Sequence, residues 1–149
     1  MRKILSSMVA MAAILAVAGT TLAASPHIIG NPTSTVSGNT LIVTASVAGL
    51  GNVESVTLGL EGNLDVFAQC YNRGGKNPAA DNKQEINAIS QTGTFPVRNG
   101  RTNARFEVSP VSTLQCPGNQ VVIIESATGT LDLTYEGETL GQITVNFTR

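Results

Sequence analysis

Few residues of this chain have the types and spacing that chemistry needs. Acid–base or nucleophilic catalysis requires a positioned base beside its partner. His27 is the sole histidine, and it falls in a stretch, residues 24–34, that reads as a loosely held arm. That is a poor mount for a rigid catalytic group. No Gly-x-Ser-x-Gly elbow occurs, and no serine has an evident base. Glu61 and Asp65 are the carboxylates best spaced to suggest glycoside hydrolysis, but both take the parity opposite the core positions and so face solvent. With Asn63 they make a Glu-x-Asn-x-Asp run of oxygen donors, which suggests calcium. Uniting the three takes a bulge at Asn63, and the distal glutamate of an EF-hand is missing. Gly74-Gly75 lacks the lysine and hydroxyl residue of a phosphate-cradling loop, and no helix follows it. These residues lead us to expect no catalytic group, no metal and no cofactor.

Binding chemistry is better represented. Residues 71–83 read as a loop without periodicity that offers Tyr71, Asn72, Arg73, Lys76, Asn77 and Asp81. An aromatic face, amides and charges on one tethered loop suit recognition of a polar ligand. The competing reading is a solvated connection whose Gly and Asn serve turns. Charge is uneven as well. Residues 73–105 hold six basic residues against Asp81 and Glu85, about +4, whereas the rest of the exported chain has Arg149 against eight acids. A basic face around Arg101 and Arg105 would take an anionic partner such as a polysaccharide or cell-wall polymer.

The compartment follows from the N-terminus. Arg2 and Lys3 precede an apolar run over residues 8–18, and Thr21-Leu22-Ala23 supplies the small residues read at a cleavage site. We expect a signal peptide at 1–23 and a single domain at 24–149. The run is too short to span a bilayer, and no later segment is long and apolar enough. Cleavage takes two basic residues and leaves 7 Lys+Arg against 10 Asp+Glu, a net charge of −3. Such a chain is a poor nucleic-acid binder, because that binding depends on neutralising phosphates. In an exported protein the two cysteines, Cys70 and Cys116, should pair. Two cysteines and one histidine do not make a typical structural zinc site.

The elements that must position these residues read as all-β. Residues 40–47 alternate, with Leu41, Val43, Ala45 and Val47 on one face. From Val56 to Cys70 one parity persists, which suggests one long strand with a bulge near Gly62. Cys70 then points into the same core as Leu64 and Val66. Residues 84–90 and 93–97 read as short strands, and Asn99-Gly100 between extended runs as a hairpin turn. Residues 102–108 alternate with Ala104, Phe106 and Val108 inward. Val121 to Ile124 are four consecutive aliphatics, as in a strand covered on both faces. Runs at 130–135 and 140–147 complete about seven to nine strands, the pattern of a β-sandwich of immunoglobulin-like architecture. A small β-barrel is the alternative.

Several short motifs, taken in order, resemble a family of small secreted, uncharacterised bacterial proteins commonest in actinobacteria. They are Ala48-Gly49-Leu50-Gly51-Asn52, then Cys70-x-Asn72-x-Gly74-Gly75-x-Asn77-Pro78-x-Ala80-x-Asn82-Lys83, then Asn99-Gly100 and Cys116-Pro117. The resemblance implies secretion, a small β-rich domain and a disulfide, and it supplies no activity or cofactor. The expectation is a secreted, non-enzymatic binding or adhesion module. The alternatives are a structural protein self-associating through sheet edges, its charge asymmetry steering heads to tails, and a carboxylate-dependent glycoside hydrolase.

Overall fold

A computed structural model describes residues 25–149; the signal segment expected at 1–23 lies outside the described residues. Seven strands follow in chain order: β1 (His27–Ser37), β2 (Thr40–Ala48), β3 (Ser55–Tyr71), β4 (Pro78–Pro96), β5 (Thr102–Val108), β6 (Val121–Tyr135) and β7 (Glu138–Thr148). They form two antiparallel sheets, β1-β2-β5 and β4-β3-β6-β7, which do not close into a barrel. The chain is therefore a β-sandwich. In the immunoglobulin constant arrangement the fourth strand joins the sheet of the first two; here β4 pairs with β3 instead, so three strands face four.

Alternation builds the core. Leu41, Val43 and Val47 of β2 face Leu58, Leu60, Leu64 and Val66 of β3, all fully buried, with Phe106, Leu131, Leu133 and Ile143 filling the layer between. Phe95 and Phe106 meet edge-on, with ring centroids 5.1 Å apart, the geometry that aromatic quadrupoles favour.

β3 is one continuous strand of 17 residues, as its parity requires. Its irregularities lie farther along than Gly62, at Phe67–Ala68 against β6 and Gln69–Tyr71 against β4. Gly62 has a different task. It stands opposite Leu131 while Gly129 stands opposite Leu64. A Cβ on Gly62 would come within 2.5 Å of the Thr130 carbonyl oxygen, so both positions need glycine to let β3 and β6 approach.

Other expectations along the chain need correction. The arm is instead β1, an edge strand paired with β2 across a bulge between Ile29 and Thr33; Gly30, at φ 69°, and Pro32 break the alternation there. The 71–83 loop is shorter than its composition suggests, because β4 begins at Pro78 and, past the irregularity opposite Gln69–Tyr71, pairs with β3 in unbroken register from Asn82 to Pro96, fusing the two short strands expected at 84–97. The run 121–124 is not covered on both faces, since Val121 is 43% exposed. Asn99 and Gly100 do take positive φ, 53° and 70°, the signature of a type I′ turn. The turn carries only the Arg98–Arg101 bridge, however, because β4 and β5 then diverge into different sheets.

Candidate functional site

β3 and β4 run together for roughly 50 Å at ~3.3 Å per residue, and they separate the candidate residues into two groups. One end is the β3–β4 tip. Asn72 N–H donates to the Asn77 carbonyl at 2.9 Å and Gly75 N–H to the Asn72 carbonyl at 2.8 Å, closing residues 72–77 into a compact turn. The Cys70–Cys116 disulfide sits behind it, with Cα atoms 5.6 Å apart and Cys70 fully buried.

Tyr71 is not presented to solvent. It is buried, and the Arg149 guanidinium lies over its ring, 4.5 Å from the centroid. Arg149 also pairs with Glu125 at 3.1 Å and donates to the Gly75 carbonyl at 3.1 Å. Its place is thus in the packing that ties the tip to β6 and β7. The neighbouring Glu125 carboxylate, hydrogen bonding to the phenol, is the main cause raising the Tyr71 pKa above 10; burial adds to this and Arg149 opposes it. Asn72, Arg73, Lys76 and Asn77 remain exposed at the tip, with Asp81 exposed on β4.

The other end holds the Asn99-Gly100 turn. Arg98 and Arg101 exchange backbone hydrogen bonds of 2.8 and 3.0 Å, so their side chains leave the same face of the turn. With Ile29, Pro96, Thr102 and Asn103 they line a groove of about 440 Å³. No acid lines it, and neither arginine makes an ion pair among the described residues. The polar floor is pre-positioned. Ser46 Oγ donates to Asn103 Oδ1 at 2.7 Å and Thr102 Oγ1 to the Pro96 carbonyl at 2.8 Å. Arg105 follows on the same outward face of β5, paired with Glu107. The structure therefore brings Arg101 together with Arg98, leaves Arg105 four residues along on the same face in an ion pair with Glu107, and sets Arg73 and Lys76 at the other end of the β3–β4 pair.

Between β4 and β5 lies a second groove of about 300 Å³, bordered by Asn87, Gln91, Glu107 and Thr113. One wall is the β5–β6 connection, clasped from both sides. Ser112 N–H donates to Asn39 Oδ1 at 2.7 Å, and Asn39 Nδ2 donates to the Ser112 carbonyl at 3.0 Å. From β4, Glu85 accepts hydrogen bonds from Ser112 Oγ at 2.6 Å and Thr113 N–H at 2.8 Å, and it pairs with Lys83 at 2.9 Å. Burial raises the Glu85 carboxyl, but the bonds from Ser112, Thr113 and Lys83 outweigh it and hold the pKa at about 2.

Glu61, Asn63 and Asp65 all lie on the outer face of the four-stranded sheet, in register with Asp132, Thr130 and Thr128. No bulge is needed to align Asn63, contrary to expectation. The extended strand places the Cα atoms of Glu61 and Asp65 about 13 Å apart, and no group of three or more His, Cys, Asp or Glu side chains among the described residues is arranged to hold a metal ion.

Sequence reasoning passed over Arg98 and Asn103 as site residues, although the motif Arg-Asn-Gly-Arg, read as a type I′ turn, already places its two arginines opposite each other. Glu85 had no comparable signal, since its partners lie in a distant loop. The chain matches no protein-family model and no curated protein.

Proposed function

We propose that this is a secreted, non-enzymatic binding module that takes an anionic extracellular or cell-wall polymer on the groove at the Asn99-Gly100 turn. One observation carries the reading: two neighbouring arginines without ion pairs among the described residues share a groove of about 440 Å³ whose lining contains no acid. A guanidinium offers a planar fork of donors that matches carboxylate or phosphate. Arg98 and Arg101 hold the anionic group, and Thr102 and Asn103 present polar edges beside it. The disulfide and the resemblance to small exported proteins support an extracellular location.

The test is calorimetric titration of the oxidised protein with polygalacturonate and with polyphosphate at low and high salt. Binding should weaken as salt rises, and the paired change Arg98→Ala with Arg101→Ala should weaken it at least tenfold. Arg73→Ala with Lys76→Ala, at the opposite end, should leave it within twofold. No binding to either polymer at low salt, or equal loss at the two ends, overturns the reading.

A further inference from the structure

The two outer faces of the sandwich carry opposite charge. On the outer face of the four-stranded sheet, β3 presents Glu61 and Asp65, and Asp132 of β6 stands directly across from Glu61. The neighbours in register on that face are Ser90, Ala88, Ile86, Thr130, Thr128 and Gln142, none of them basic. Like charges directly opposite each other on a sheet repel, and among the described residues Asp65 and Asp132 are met by amides, Gln84 and Gln142, and no basic side chain pairs with any of the three acids. On the outer face of the three-stranded sheet Arg101, with Arg98 beside it, carries the unpaired positive charge among the described residues, and Arg105 follows in an ion pair with Glu107.

The spacings agree. Arg101 and Arg105 are four residues apart on one strand, as are Glu61 and Asp65, which is about 13 Å in each case. Sheets stacked face to face keep their strands within about 30° of one another, so the two rows can lie in line.

We infer that this protein associates with itself face to face, the Glu61–Asp65–Asp132 face of one copy against the Arg98–Arg101–Arg105 face of the next. A symmetric dimer through either face would set like charges together. The pairing is therefore heterologous, and a heterologous contact that does not close on itself builds open chains. The complementarity between the two faces is one of charge, so the association is salt-sensitive. It bears on the proposed function at one point, because a bound polyanion and a second copy compete for the same guanidiniums.

Sedimentation velocity over a concentration series tests this at about 0.01 M and about 1 M salt, where the screening length falls from ~30 to ~3 Å. The oxidised protein should grow in mass with concentration at low salt and be monomeric at high salt. Glu61→Lys with Asp132→Lys should abolish growth, and so should Arg98→Glu with Arg101→Glu. An equimolar mixture of the two variants should restore it, because each then carries the face the other needs, and restoration shows that both are folded. A monomer under every condition, or a mixture that stays monomeric, overturns the inference. Polyanion binding by a protein that is always monomeric sinks this inference alone and leaves the proposed function standing.

Discussion

Glu85 on β4 accepts the hydroxyl hydrogen of Ser112 at 2.6 Å, and the side chain of Glu85 is 11% exposed while Ser112 is buried. This bond joins an edge strand of one sheet to the connection that leaves the other. The carboxyl is held at about 2 when folded, against 4.5 ordinarily. A depressed folded pKa means that the unfolded chain takes up the proton first as pH falls. The stabilisation, on the order of 3 kcal/mol, is thus fully present above about pH 4.5 and lost between there and about pH 2. We expect Glu85→Gln to lower stability at pH 7 and to flatten the decline below pH 5 in urea unfolding. A decline as steep in the variant as in the wild type would show that other groups carry it.

The Cys70–Cys116 bridge spans 46 positions and fastens the end of β3 to the connection that Glu85 and Asn39 clasp. For a loop of that size the chain-entropy model gives roughly 4 kcal/mol as an upper value. Reduction, or Cys70→Ala with Cys116→Ala, should lower stability by about 2–4 kcal/mol. Amide exchange should quicken first in residues 109–120 and at the tip, with the β2–β3 core protected. Uniform loss of protection would mean that the bridge holds the whole sandwich and not one end of it.

What the chain reveals before folding is set by burial. β2, β3 and β5 alternate because one face of each is in the core, so their spans and the inward aim of Cys70 are legible. β1 is not, because Gly30 and Pro32 interrupt it at a bulge. β4 is not either, because its inward positions Glu85, Asn87 and Gln91 hydrogen-bond the β5–β6 connection and β5 instead of entering the core. The same reasoning divides the site. The Arg98–Arg101 pairing is local, written in the turn between the two residues. The burial of Tyr71 depends on Arg149 at the far end of the chain, and no periodicity near residue 71 reports it.

Gly62 and Gly129 face leucines across the β3–β6 ladder, each where a side chain would strike the opposing backbone. A Cβ on Gly129 would reach Leu64 Cδ2 at 2.9 Å and strike the Asn63 carbonyl oxygen, which cannot rotate away. Gly62→Ala and Gly129→Ala should each cost roughly 1–3 kcal/mol, the range for forcing extra atoms into a packed layer. Thr128→Ala, exposed on the neighbouring position, should stay within about 0.5 kcal/mol. Thermal melts of the three variants decide the matter. Glycine changes no costlier than the threonine change would mean that the two strands can separate without penalty.

The tip clamp makes a prediction that stability measurements would miss. Two tyrosines are present, and both titrate above 10. For Tyr71 the main cause is hydrogen bonding with Glu125, whereas for Tyr135 it is burial, with Glu136 adding to it. Arg149 acts on Tyr71 in the opposite direction to Glu125. Glu125→Gln should therefore bring one tyrosine back toward 10, and Arg149→Ala should push one higher still, while the Tyr135 transition keeps its position in both variants as an internal reference. Ultraviolet titration of tyrosinate formation reads the two steps. The same Arg149→Ala variant should speed amide exchange at residues 72–77, because it removes the donor to the Gly75 carbonyl. If neither substitution moves a tyrosine transition, Arg149 does not sit over the Tyr71 ring in solution, and Tyr71 returns to the set of side chains open to a ligand.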